Sequence, residues 1–279
     1  MLIGINPIVV TIGPVAVRWF GVLALVGLGL AIWLSLGELD RQHLGRKRAL
    51  DALAWALPFG VLSARFIHVL GYWDYYLTNS AELWQLNLGG LSLWGGLVGG
   101  GLMFAARLGR GAYRRRVLDT IVPFVLLGIA IGRMGEFVDG QGQGLPSSLP
   151  WATQYASRLT SSPDFGVPRH PAQLYDALVA LALCVGLWLL PRASPAGARL
   201  AIALVAYGCA RLALGGVRLD PTFLFVVQLE QLLALGCVVA GGIMAARLVF
   251  ERRRRSTRER LEPATAAHPP AKNESSLAA

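Results

Sequence analysis

Charge is scarce in this chain of 279 residues: Asp, Glu, Lys and Arg make up 15%, against 54% hydrophobic residues and a mean hydropathy of +0.52. That balance excludes a soluble domain of this size and makes the bilayer the solvent. Lysine is almost missing. Lys47 and Lys272 are the whole supply, and neither lies in an apolar run, which excludes a seven-helix retinal protein with its Schiff-base lysine in the last span. The three cysteines, Cys184, Cys209 and Cys237, all fall in apolar runs without CxxC or metal spacing. They read as packing residues, and neither a metal nor a cofactor is expected. The start of the chain lacks a charged n-region followed by a small-residue cleavage site, so no signal peptide is expected to be removed. No internal repeat is visible, which counts against an inverted-repeat transporter.

What the chain has in quantity is apolar runs of the length a helix needs to span a bilayer, about 20 residues. They lie near 15–36, 50–71, 88–106, 117–134, 171–190, 199–214 and 223–249, with 199–214 the shortest. The expectation is an all-α polytopic membrane protein of seven transmembrane helices. A small periplasmic head is expected over 135–170, a segment too long for a simple connection.

The bases are arranged accordingly. Arg41, Arg46, Lys47 and Arg48 lie in one loop, Arg107, Arg110 and Arg114 to Arg116 in another, and Arg192 and Arg199 in a third. The alternate loops carry only Arg158, Arg169 and Arg218. Every second loop is therefore basic, which puts the N-terminus outside and the C-terminus in the cytoplasm. The net charge of +10 is mostly this bias. Arg252 to Arg255 read as a stop-transfer cluster touching anionic lipid rather than nucleic acid. Residues 1–250 form the expected membrane domain, and 251–279 a disordered cytoplasmic tail after a short helical extension. Trp73, Tyr75, Tyr76 and Trp84 suit an interfacial belt. Gly140-Gln141-Gly142-Gln143-Gly144 has no preceding strand and no following Lys, so it is a hinge rather than a phosphate loop.

Given this topology, polar groups distant in sequence reach one zone, the outer half of the bilayer. Arg133 falls at the outer end of span four, His170 at that of span five, and Gln228, Glu230 and Gln231 near that of span seven. Arg65 and Arg211 lie in the outer parts of spans two and six. Charged side chains in spans face a bundle interior or a wet cavity. Several Arg without matching membrane carboxylates call for an anionic ligand, and a phospholipid phosphate fits the guanidinium fork. The plainer readings are that Arg65 satisfies carbonyls at a helix kink, Arg211 snorkels and Arg133 anchors at the interface. His170-Pro171 reads equally as a helix start. The glycines at 95, 96, 99, 100 and 101 read first as helix-packing positions.

The order of three blocks resembles the prolipoprotein diacylglyceryl transferase family over about Ile8 to Arg247. The blocks are Gly132-Arg133-Met134-Gly135-Glu136-Phe137-Val138-Asp139-Gly140-Gln141, then His170-Pro171-Ala172-Gln173-Leu174-Tyr175-Asp176, then Tyr207-Gly208-Cys209-Ala210-Arg211. The resemblance implies transfer of a diacylglyceryl group from phosphatidylglycerol to the lipobox cysteine thiol of a prolipoprotein signal peptide, in the bacterial inner membrane. It implies that Arg133 and Arg211 hold the phosphate, that Arg65 shapes the same pocket, and that His170, Gln173 and Tyr175 orient the head group. Trp94, Gly95, Gly96 and Gly140 fall in the matching lipid-binding segments. The family pattern is broken near the chemistry. Trp94 stands where the family has His, Glu136 and Gln141 where it has Asn and Glu, Gly215 where it has an acid one turn after the intramembrane Arg, and Phe20 where it has Tyr. Trp cannot accept a thiol proton, so Glu136 is the substitute candidate base. The alternative is a non-catalytic relative that binds anionic phospholipid or a lipoprotein signal segment.

Overall fold

The computed structural model describes residues 1–261 except 14, 84–89, 163, 192, 220–221 and 225–226. Six described helices are long and apolar enough to cross a membrane: α1 Trp19–Arg41, α2 Arg46–Gly71, α5 Ala112–Asp139, α6 Ala172–Leu189, α7 Ala198–Gly215 and α8 Leu229–Leu261, the last through its stretch Leu229–Arg254. Between α2 and α5 lie the short α3 Trp73–Thr78 and the helix α4 Leu93–Arg107.

The departure from seven spans falls at α4 and not at 199–214. α4 has 15 residues, about 22 Å of helix against roughly 30 Å of hydrocarbon. Its start is fixed locally. Gly90 sits at φ +81°, and the Ser92 hydroxyl accepts the amide of Gly95 at 3.2 Å, an N-cap that begins the helix at Leu93. The first span also starts later than its apolar run, because Ile8–Ile12 (β1) and Val15–Arg18 (β2) pair as an antiparallel hairpin ahead of α1. The remaining strands are short pieces that leave the protein helical.

Association of the helices rests on close approach, since lipid removes the hydrophobic drive between them. α1 packs on α5, α2 on α4, α7 on α8 and α5 on α6. A Cβ at Gly27 would come within 2.7 Å of the Gly128 carbonyl oxygen, and one at Gly95 within 2.6 Å of the Ser63 carbonyl oxygen. Large apolar side chains such as Leu25, Trp33, Phe66, Leu178, Trp188 and Ile243 stay exposed, as suits a lipid-facing surface.

Trp94, Leu126, Ile129, Ala130, Ala180, Ala203, Tyr207 and Ala234 form one core where α4 to α8 meet. Beyond it, at the last turn of α5, Ile3, Phe137 and Tyr155 form a small second core with the head, residues 140–170. The head is well braced. Thr153 and Arg169 exchange backbone hydrogen bonds of 2.9 Å, and Asp139, fully buried, accepts from Arg18 Nε at 2.6 Å and from Ser161 at 3.2 Å. Burial pushes the Tyr155 phenol up, so it stays a neutral donor and gives its hydrogen to the Phe137 carbonyl. At the other end of α5, Asp119 accepts the amides of Gly197 (2.6 Å) and Leu200 (2.9 Å) at the start of α7, a charge-assisted cap. α8 continues past its apolar stretch through the charge-rich residues Glu251 to Leu261; residues 262–279 of the expected tail, with Lys272, lie outside the described residues, as do Trp84 and Arg192.

Candidate active site

Between the two cores, α5, α6, α7 and α8 each contribute charge to one buried cluster. Arg133 of α5 is 2% exposed and Arg211 of α7 is 3% exposed. Asp176 of α6, fully buried, lies between them: its Oδ2 is 2.7 Å from Arg133 Nε and accepts from Arg211 Nη1 at 2.8 Å. Both oxygens of Glu136 accept from Arg133 Nη1 at 2.6 Å, the geometry expected of residues three apart on a helix. Arg211 Nη2 donates to Glu230 at the start of α8. Arg218 adds a third positive charge felt by Asp176. In low dielectric, removing one member of such a set leaves a buried charge unpaired, at roughly 3–5 kcal/mol.

The structure thus corrects the expectation of arginines short of carboxylates. Arg133 and Arg211 do converge, but on a carboxylate oxygen of Asp176 rather than on an open phosphate position. The acid missing at Gly215 has a spatial counterpart: a Cβ at Gly215 would lie 2.4 Å from Gln231 Nε2, and next to Gln231 stands Glu230, which supplies its carboxylate to Arg211 from α8. Asp176 and Tyr207 were the residues that spacing along the chain did not single out. Both lay in view, Asp176 as an acid inside an apolar run and Tyr207 four residues before Arg211, on the same helix face.

Trp94 is brought fully into this cluster. Its indole is 2% exposed, stacks on Tyr207 with ring centroids 5.7 Å apart, and lies under the Arg211 guanidinium at 5.7 Å. Gly95 and Gly96 serve this indirectly by letting α4 lie close on α2; their nearest contacts are Ser63, Ala64 and Gly60. Two donors in the cluster, Trp94 Nε1 and Arg133 Nη2, are buried and make no hydrogen bond within the protein. Each such donor costs about 1–3 kcal/mol until something accepts from it.

The other expected site residues divide. Gln173, fully buried one turn before Asp176, donates to the Gln141 carbonyl and so ties α6 to the segment after α5. His170 is half-buried, its Nδ1 3.4 Å from the Tyr175 hydroxyl, which also accepts from Trp151 Nε1 at 2.7 Å. These three form a separate polar group at the head. Gly140 ends α5 at φ +80°, and a Cβ there would meet Thr160 at 3.1 Å, so its backbone freedom is what the site uses. Arg65 donates to the carbonyls of Glu82 (2.6 Å), Leu83 (2.9 Å) and Gly90 (3.0 Å) and lies over the Tyr76 ring; it satisfies carbonyls, as in the plainer of its two readings, but in the connection after α3 and not at a helix kink.

The family model for prolipoprotein diacylglyceryl transferase matches residues 7–247. The chain belongs to that family. Among its relatives are proteins named phosphatidylglycerol–prolipoprotein diacylglyceryl transferase. One, from Cupriavidus pinatubonensis, is 33% identical over 91% of this chain and 95% of its own length. One from Aliivibrio fischeri is 33% identical over 86% of each chain, and one from Streptococcus agalactiae 28% identical over 89% of this chain and 97% of its own. As a diacylglyceryl transferase family member, the chain carries a centre of two buried arginines that share one carboxylate oxygen.

Proposed function

We propose that this chain is a phosphatidylglycerol–prolipoprotein diacylglyceryl transferase of the bacterial inner membrane, acting in the outer leaflet, with its N-terminus outside and its tail in the cytoplasm. The single observation that carries the reading is the pair of buried guanidiniums, from α5 and α7, held together through one oxygen of Asp176. A guanidinium pair is suited to a phosphodiester, and most useful where charge grows as the leaving group departs.

In the reaction, the lipobox cysteine of the signal peptide attacks the diacylglyceryl carbon next to the phosphate as a thiolate. The carbon–sulfur bond forms, the carbon–oxygen bond breaks, and its electron pair leaves with glycerol phosphate. Arg133 and Arg211 hold the phosphate and stabilise that charge. Glu136 takes the thiol proton, exchanging its contact with Arg133 for one with the substrate as the phosphate enters. His170, Gln173 and Tyr175 orient the head group from the head side. Arg65 acts at a distance, by holding the carbonyls of Glu82, Leu83 and Gly90.

A second reading has its own support: the carboxylates already pair the arginines, as in a non-catalytic relative that binds anionic lipid or a signal segment without turnover. Complementation of a transferase-depleted bacterium separates the two. Growth with a lipoprotein heavier by one diacylglyceryl group is the expected result. Bound phospholipid with an unmodified lipoprotein establishes the non-catalytic reading.

A further inference from the structure

We propose that Trp94 is a substrate-binding residue, its indole N–H donating, together with Arg133 Nη2, to a phosphate oxygen of the bound lipid. The inference rests on the transferase reading for the identity of the ligand. An indole nitrogen only donates, and so does a guanidinium. Trp94 is 2% exposed and Arg133 2%, and the two nitrogens have no acceptor in the protein. Buried polar groups are ordinarily satisfied, and the exceptions mark a missing ligand or a functional site. A ligand that answers both nitrogens has to present acceptor oxygens to them, as a phosphodiester does.

The surrounding contacts fix the indole. Tyr207 stacks on one face and Arg211 lies over the ring, while Arg211 and Arg133 share Asp176 Oδ2. A tryptophan held on this lattice reaches the same charge cluster that would grip the phosphate. It supplies a neutral donor, so it adds affinity without adding charge.

The test uses the full chain in detergent and measures binding of phosphatidylglycerol, of diacylglycerol, which has the ester carbonyls but no phosphate, and of glycerol phosphate. Trp94→Phe keeps an aromatic ring against Tyr207 and Arg211 and removes the N–H. The expected result is a tenfold to hundredfold weaker affinity for phosphatidylglycerol, about the worth of a buried hydrogen bond to a charged group, with diacylglycerol binding unchanged. Parallel weakening for glycerol phosphate assigns the donor to the phosphate itself; weakening for phosphatidylglycerol alone assigns it to the phosphate of a membrane-held lipid. Trp94→His, which keeps a ring N–H, is expected to retain more affinity than Trp94→Phe. Equal loss for diacylglycerol, or unchanged phosphatidylglycerol affinity in a folded Trp94→Phe protein, overturns the proposal. Turnover by the unsubstituted protein is read separately. Transfer with an unaffected Trp94→Phe variant sinks this inference alone, and weakened binding without any wild-type transfer sinks the enzyme reading alone.

Discussion

Two sets of buried arginine in this molecule are satisfied in opposite ways. Arg65 is surrounded by the backbone carbonyls of Glu82, Leu83 and Gly90, whereas Arg133 and Arg211 are held by the carboxylates of Glu136, Asp176 and Glu230. Carbonyls are fixed dipoles that cannot change protonation, so an arginine held by them is a clamp on the chain. Carboxylates can change partner or take up a proton, so arginines held by them can pass their charge to a substrate. One residue type thus serves as a fastener in α2 and, in the proposed function, as chemistry between α5 and α7.

The comparison breaks hardest at Asp176. Asp176→Asn removes the charge both guanidiniums share, and breaking a buried pair costs roughly 3–5 kcal/mol; thermal unfolding should fall sharply and lipoprotein modification should be lost. Preserved modification in a folded Asp176→Asn protein would show that the two arginines act separately.

Glu136→Gln keeps the shape and removes the base. Phosphatidylglycerol affinity should hold while transfer falls by about a hundredfold, the lower end for a lost proton acceptor. Transfer that survives undiminished moves the proton acceptor elsewhere and leaves Glu136 as a counter-charge to Arg133.

Arg65→Met sharpens the contrast from the other side. It orphans three carbonyls, so stability should drop by about 1–3 kcal/mol, measured by unfolding in detergent, with little change in phosphatidylglycerol affinity in the protein that remains folded. A selective loss of affinity would return Arg65 to the phosphate site. The smallest effect is expected at Tyr175→Phe, which removes the hydroxyl between His170 and Trp151. One hydrogen bond of roughly 1 kcal/mol corresponds to less than tenfold in KM, with kcat retained.

The helices were legible in the sequence because hydropathy is local: the run at 199–214 became α7 within a residue at each end. α4 was overestimated because apolar composition continues ahead of Leu93, while the Ser92 cap and Gly90 set the boundary through backbone geometry. Arg133, Arg211, Glu136 and Trp94 were legible as candidate residues through their motifs, and Glu230 through topology; the structure gathers all five in one cluster. Their pairing was not legible, since the meeting of Asp176, Glu230 and Arg211 joins α6, α8 and α7, and no spacing along one chain segment encodes such a junction. The partners of Arg65 were hidden for the same reason, its carbonyls coming from a connection 17 to 25 residues further on.

Asp119 gives the site a mechanical property. It grips the first amides of α7 about 21 Å along α5 from Arg133, while Asp176 ties the same two helices near the guanidiniums. A pair of rods pinned at two points cannot scissor. The spacing of the two guanidiniums then behaves as a fixed gauge, set by two carboxylates at opposite ends of the same helix pair.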